Sequence, residues 1–419
     1  MTPTSLSAVR RGPSGPAFLK SGHLPTLVSA FLYFDVSFMV WVLIGALGVF
    51  ISKDFGLSPA QKGLLAAIPL LGGALTRIPV GLMTDRYGAK RTGLITLAVV
   101  CLPLLWGWLA VDSYHATLAM GLLLGVAGSS FAVALPLASR WYPREHQGTA
   151  MGIAGAGNSG TVLAALFAPR LAAHLGWHAV FGLALGAVVV TAAVFGWLAK
   201  EPPLRAKPAG IPELLGVLKK ADTLWFSLMY SATFGGFVGL ASFLPIFFFD
   251  QYGLDRVQAG TMTALCVFLA SFFRPVGGYL SDRFGGDRVL FVLFSVVALG
   301  FGFLGFLPAL PAAVGLLFGI MLALGMGNGS VFQLVPQRFS KEIGLLTGIV
   351  GAAGGLGGFF LPSLLGLIKG KVGSFGPGFW LFSLVTLAAM LALSRVRLSI
   401  SRYLRSEAQA LAPALVERN

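Results

Sequence analysis

The chain has 419 residues, of which 56% are hydrophobic and only 11% charged, with a mean hydropathy of +0.84. Soluble domains run nearer a quarter charged, so a disordered chain, a secreted disulfide scaffold and a cytosolic enzyme are excluded at the outset. A net charge of +15 does not indicate nucleic acid here, because 56 glycines and 34 phenylalanines fall in long uncharged runs; the basic excess belongs on one face of a membrane.

The N-terminal tail, 1–23, holds Arg10, Arg11 and Lys20 among Pro, Ser and Gly, without the apolar core and cleavage site of a signal peptide. Twelve apolar stretches follow at about 24–52, 59–83, 92–111, 115–139, 149–171, 177–199, 223–250, 257–281, 289–308, 311–337, 344–368 and 375–395. Each is long enough to cross roughly 30 Å of hydrocarbon as a helix, which satisfies its own backbone polar groups. The expectation is an all-α integral membrane protein of twelve transmembrane helices. The longest hydrophilic break, 200–222, makes a cytoplasmic linker between a six-helix bundle at 24–199 and a second at 223–395; a tail, 396–419, closes the chain.

The tails and the loops after even-numbered spans carry 22 of the 30 Lys and Arg, and the opposite loops carry six. By the positive-inside rule both termini are cytoplasmic and the protein is a multi-pass protein of the cytoplasmic (inner) membrane. Cys101 and Cys266 each sit inside an apolar run, so no disulfide is indicated. The five histidines (His23, His115, His146, His174, His178) lie in tails and loop edges without a metal-ligand pattern. No metal and no cofactor are expected.

The two halves repeat each other. Gly81-Leu-Met-Thr-Asp85-Arg86-Tyr-Gly88-Ala-Lys90-Arg91 follows span 2, and Gly278-Tyr-Leu-Ser-Asp282-Arg283-Phe-Gly285-Gly-Asp-Arg288 follows span 8, at an offset of 197. A six-plus-six repeat makes two pseudo-symmetric bundles that rock about a midplane site. In the repeated loop the glycines permit a tight turn, and the Asp sits at a helix end or pairs with a cation. Gly81, Asp85, Arg86, Asp282 and Arg283 are therefore read as a conformational latch.

Two cations stand inside the spans: Arg77 and Arg274, also 197 apart. Each costs on the order of 2.5–3.5 kcal/mol to insert, and none of Lys, Glu or Asp lies within four residues of either. Pseudo-symmetry brings two planar guanidinium forks to one cavity, which suits an oxyanion. Asp35, about ten residues into span 1, is the one acidic residue clearly inside a span. It can act as a proton carrier or as a counter-ion to one of the arginines.

Span 5 opens Gly152-Ile-Ala-Gly155-Ala-Gly157-Asn158-Ser159-Gly160, and span 11 reads Gly348-Ile-Val-Gly351-Ala-Ala-Gly354-Gly355-Leu-Gly357-Gly358. Glycine stripes let helices approach closely and leave a narrow site with room for a small ligand; Asn158 adds an amide donor at depth.

The loop at 81–91 resembles the signature of the major facilitator superfamily, and the twelve-span layout covers the whole chain. The glycine runs of spans 5 and 11, with one arginine each in spans 2 and 8, resemble the nitrate/nitrite porter family within it. That resemblance implies the major facilitator fold and a secondary carrier for nitrate and nitrite. Arg77 and Arg274 would grip the anion and Asn158 would add a hydrogen bond. Tyr230 and Phe234 match the family's span 7 pattern, Phe38 and Phe131 are candidate apolar walls, and Gly155, Gly157, Gly354 and Gly355 complete the site. The run Gly325-Met-Gly-Asn328-Gly-Ser-Val-Phe332-Gln333 in span 10 also resembles the family. The expected partners are nitrate, nitrite, H+ and the lipid bilayer, with no nucleic acid and a monomer as the working unit.

Three other readings compete: a carrier for another small oxyanion, a membrane sensor, and an anion channel. A sensor would be expected to carry a soluble output domain, whereas the linker is about 23 residues and the tail about 24. A channel would show no saturable counterflow.

Overall fold

Hydrocarbon offers no hydrogen-bond partner to a peptide group, so a spanning segment must satisfy its own. The computed structural model, which describes residues 18, 20–202, 211–338 and 343–416, is accordingly helical, with no strand among the described residues. Twelve helices are long and apolar enough to span. They are α1 (Leu24–Trp41), α2 (Pro59–Tyr87), α3 (Ala89–Leu109), α4 (Tyr114–Ser139), α5 (His146–Leu175), α6 (Trp177–Leu198), α7 (Ala221–Tyr252), α8 (Arg256–Phe284), α9 (Gly286–Leu304), α10 (Leu310–Val335), α11 (Leu346–Val372) and α12 (Gly376–Leu398).

Most of their ends lie within a few residues of those read from hydropathy. The first apolar run is not one rod: past Trp41 it continues as two short turns, Leu43–Ala46 and Gly48–Asp54. The linker contains a helix, Ile211–Leu218, and the helix that includes α12 runs on to Val416.

Sequence chemistry sets the starts. Ser58 and Gln61 form a capping box ahead of Pro59 on α2, and Asp255 with Gln258 does the same for α8, the pseudo-equivalent helix. The glycine three residues past the aspartate of each repeated loop also has a reason. Gly88 (φ 97°) and Gly285 (φ 92°) turn the chain directly from α2 into α3 and from α8 into α9 in a conformation that side chains resist.

Asp85 of the first loop accepts from Arg140 Nη2 at 2.7 Å, so this pair ties α2 to the end of α4 within the N-terminal lobe, α1–α6, as distinct from the C-terminal lobe, α7–α12. Glu201 reaches back to the start of α3 and accepts from the backbone N–H of Ala89 (3.1 Å) and Lys90 (2.9 Å), an anion at a helix N-terminus.

The lobes meet at the end of the molecule that carries the loops after odd-numbered spans. There Lys62 of α2 pairs with Asp250 of α7 at 2.8 Å, and Arg170 of α5 donates to Thr261 of α8 at 2.9 Å. The Arg256 guanidinium lies 4.7 Å from the Phe50 ring centroid. Backbones touch as well: Gly45 abuts Ser242, Gly63 abuts Pro362 and Gly366, and Gly260 abuts Ala165 and Pro169. Toward the opposite end the lobes part. The first half of α5 packs on α1 and α4, and the second half of α8 packs on α9 and α10, each within its own lobe. Gly148, Gly152, Gly278 and Gly348 have nothing within 4 Å of where a Cβ would stand.

The closed end is held in part by Lys62–Asp250, whose side chains are only 19% and 15% exposed. Removing one partner of such a pair costs on the order of 1–3 kcal/mol, between exposed and buried values. In a background lacking Cys101 and Cys266, Lys62→Gln should raise the rate at which a thiol reagent labels Ser242→Cys at least threefold. An unchanged rate would mean that the pair does not hold the gate.

Candidate functional site

A guanidinium inside a membrane protein must find acceptors, aromatic faces or an anion. Arg77, midway along α2 and 1% exposed, finds the first two. Its Nη1 donates to the Gly351 carbonyl of α11 at 2.5 Å and its Nη2 to the Gly128 carbonyl of α4 at 2.6 Å. One acceptor comes from each lobe, so the side chain bridges them. Its Nε is buried without a partner among the described residues.

Arg274 sits where the eighth span breaks: one helical segment ends at Phe272 and the next begins at Arg274. Pro275 follows, with no N–H to continue the ladder. The Arg274 guanidinium stands 5.5 Å from the Phe131 centroid, and its Nη1 is buried and unpartnered among the described residues. Arg77 stands 5.6 Å from the same centroid, so the two guanidinium carbons are at most about 11 Å apart. Neither pairs with a carboxylate among the described ion pairs.

Around them six aromatic side chains close a ring. Phe131 touches Phe332 (centroids 5.9 Å apart), Phe332 touches Tyr230 (4.8 Å), and Tyr230 stacks on Phe234 (5.1 Å, planes 3° apart). Phe234 meets Phe38 (6.2 Å), Phe38 meets Phe34 (4.5 Å), and Phe34 returns to Phe131 (6.0 Å). Trp41 packs on Phe38 and Phe234 and donates Nε1 to the Pro69 carbonyl at 2.7 Å. Arg77 lies over Trp41, Phe131 and Phe234 at 5.2–5.7 Å, where each face offers about 0.5–2 kcal/mol against desolvation.

The helices that supply these groups leave α geometry at this level. α4 tightens to 3₁₀ over Gly125–Ser129, α5 does so over Ala156–Ser159, and α7 widens to a π turn over Ser231–Gly235. With the breaks at Val42 and Phe273, five spans expose backbone carbonyls or re-aim side chains where the arginines need partners.

Asn158 stands in the α5 irregularity, 0% exposed, with both amide atoms unpartnered among the described residues. Its carbonyl accepts from Thr161 Oγ1 (2.7 Å) and from Ser271 Oγ (3.4 Å), one turn before Arg274. Asp35 is placed elsewhere than at an arginine: it accepts from Ser159 Oγ at 2.6 Å across the α1–α5 contact. The glycines divide. Gly354 lies under the Tyr230 and Phe234 rings, where a Cβ would stand 2.6 and 3.0 Å from them. Gly355 admits Ala74 of α2, and Gly157 admits the α1 backbone from Phe31 to Asp35, whereas Gly155 has nothing nearer than Leu135 at 3.9 Å. In the two repeated loops Arg86 and Arg283 lie over the neighbouring Tyr87 and Phe284 rings at 5.5 and 5.4 Å.

Phe34 of the ring and Trp41 beside it were not singled out from sequence, and Phe332 entered only as part of the span 10 run. For the first two a signal existed, since Phe34, Phe38 and Trp41 recur at helical spacing on one face.

A profile of the Major Facilitator Superfamily matches residues 29–339. The chain is 35% identical to the "Nitrite extrusion protein" of Bacillus subtilis, over 84% of this chain and 89% of that one. It is 33% identical to the "Probable nitrate/nitrite antiporter NarK1" of Thermus thermophilus (91% and 92%) and 38% identical to the "Probable nitrate/nitrite transporter NarK2" of Mycobacterium tuberculosis (82% and 89%). Among solved structures, the partially occluded inward-open xylose transporter XylE from E. coli superposes with a TM-score of 0.71 at 14% identity, covering 90% of this chain and 99% of that one. An inward-facing bacterial homolog of the human lysosomal transporter Spinster gives 0.66 at 20%, covering 90% and 96%; both likenesses speak to the fold. A twelve-helix chain with this repeat and these relatives belongs to the Major Facilitator Superfamily and, within it, to the nitrate/nitrite porter family.

Proposed function

We propose that the protein is a secondary carrier that moves nitrate and nitrite across the cytoplasmic membrane by alternating access. One observation carries the reading: two guanidiniums stand over a single ring, Phe131, inside an aromatic enclosure, without a carboxylate and with buried N–H groups unspent. A small planar oxyanion completes that set, taking hydrogen bonds from Arg77, Arg274 and Asn158 while Phe38, Phe131, Phe234 and Tyr230 cover its faces. With the basic loops cytoplasmic, the closed end is extracytoplasmic and the structure faces inward. The relatives named for nitrate and nitrite support the same cargo.

Transport of the anion into an inside-negative cell is opposed by about 2.3 kcal/mol per 100 mV. Proton co-transport or exchange for nitrite removes that opposition. The arginines do not readily lose charge, so a proton has to travel on another group. Asp35 is the carboxylate at depth, 7% exposed and hydrogen-bonded one residue from Asn158. We assign it to proton coupling and nitrate uptake to proton symport; nitrate/nitrite exchange is the second mode, favoured by the antiporter named among the relatives.

Lysine keeps charge but loses the planar fork. Arg77→Lys or Arg274→Lys should lower nitrate flux into proteoliposomes at least tenfold, equivalent to about 1.4 kcal/mol; near wild-type flux in either would remove the anion site. Asp85→Asn removes the charge that Arg140 pairs with, outside the cavity. It should slow turnover while equilibrium nitrate binding stays within about twofold, and lost binding with normal turnover would contradict the latch. Asp35→Asn should abolish acidification-driven uptake yet spare nitrate/nitrite counterflow. If the wild type moves no protons with nitrate, or the Asn form still does, exchange is the mode and Asp35 is structural.

A further inference from the structure

The two arginines are not equally provided for. Arg77 has two carbonyl acceptors, one of them on Gly128. Arg274, its counterpart at offset 197, keeps a buried Nη1 without a partner among the described residues. In the repeat, Gly125-Val-Ala-Gly128-Ser-Ser130 of α4 aligns with Gly325-Met-Gly-Asn328-Gly-Ser330 of α10 at an offset of 200, so Asn328 stands where α4 has Gly128. It is 0% exposed, and both its amide atoms are unpartnered among the described residues. Burying an amide in this way is unfavourable if nothing ever binds it.

The neighbours of α10 show where Asn328 faces. Gly325 and Gly329 abut Ala270 and Arg274 of α8, while Leu324 and Gly327 abut Gly236 and Thr233 of α7. Asn328 falls in the sector between those two contacts, on the row that one turn later carries Phe332. Phe332 in turn touches Tyr230 of α7 and Phe131 of the other lobe. That sector is the wall of the central site, on the Arg274 side.

We infer that Asn328 is a further anion-binding residue: its side-chain amide donates to the bound oxyanion beside Arg274, opposite Asn158. The inference rests on the anion reading above and adds a ligand group from α10. It also divides the labour between the lobes. The N-terminal arginine is held by backbone carbonyls, whereas Arg274, hydrogen-bonded to Tyr230, keeps its Nη1 for the anion, and the Asn328 amide waits beside it.

The test is calorimetric titration of the purified full-length protein with sodium nitrate, using wild type, Asn328→Leu and Asn328→Ala. Thermal unfolding without nitrate checks the fold of each. Leucine keeps the volume and removes the amide; alanine serves if leucine does not fold. Nitrate Kd should rise at least fivefold in the folded variant, with its nitrate-free melting temperature unchanged or raised. A rise below fivefold, with wild type binding nitrate normally, overturns the inference and leaves Asn328 holding a buried water. Absence of nitrate binding by wild type overturns the anion reading itself, and this inference with it.

Discussion

Two positive charges that cannot readily be discharged, sunk in a membrane protein without a carboxylate beside them, impose the conditions the surrounding structure meets. Desolvating an ion is costly, and the protein offsets the cost piecemeal. Aromatic faces supply part of it, the carbonyls of Gly128 and Gly351 supply more at Arg77, and some N–H groups are left unspent. Those carbonyls become accessible because glycine lets other groups come close and because α4 is tightened to 3₁₀ there. Of the irregular turns, the one in α4 supplies an arginine with an acceptor, the Gly128 carbonyl.

The same charges connect the lobes. Arg77 takes its two acceptors from opposite lobes, and the Phe131 ring faces guanidiniums from both. A site assembled this way is altered by any relative rotation of the lobes. On the proposed anion reading, binding and lobe position are one equilibrium, since an anion bridging the arginines would add its contacts only where the lobes meet. At the far end Lys62–Asp250 and Arg170–Thr261 act on that equilibrium independently, through ordinary polar pairs.

Much of the architecture was legible because the bilayer acts on hydropathy directly: the spans, the loop repeat and the isolated arginines all leave marks in one dimension. The enclosure was less legible. Phe34 and Phe332 are two among 34 phenylalanines, and only folding distinguishes a wall of the site from a lipid contact. The 3₁₀ and π turns leave no hydropathic trace, since the same residues would read as plain helix. The family resemblance grouped Gly155, Gly157, Gly354 and Gly355 together, yet the fold sets Gly354 under the Tyr230 and Phe234 rings and Gly157 against α1. The partner of Asp35 was equally hidden, because a serine hydroxyl 124 positions away carries no signature.

The seam between α2 and α11 has a mechanical meaning. Gly63 against Pro362, Gly366 against Pro59 and Gly355 against Ala74 form a line of near-bare backbone that runs from the closed end to Arg77. Interlocked side chains would act as gear teeth, and sliding would require every one to change rotamer together. A smooth seam has no teeth to disengage. The two helices can roll on it as a bearing, with their separation set by main chain and hardly altered by the angle between lobes. Each methyl added along that line would behave as a wedge in the bearing, with an effect on speed of turnover far larger than on the affinity of the resting protein.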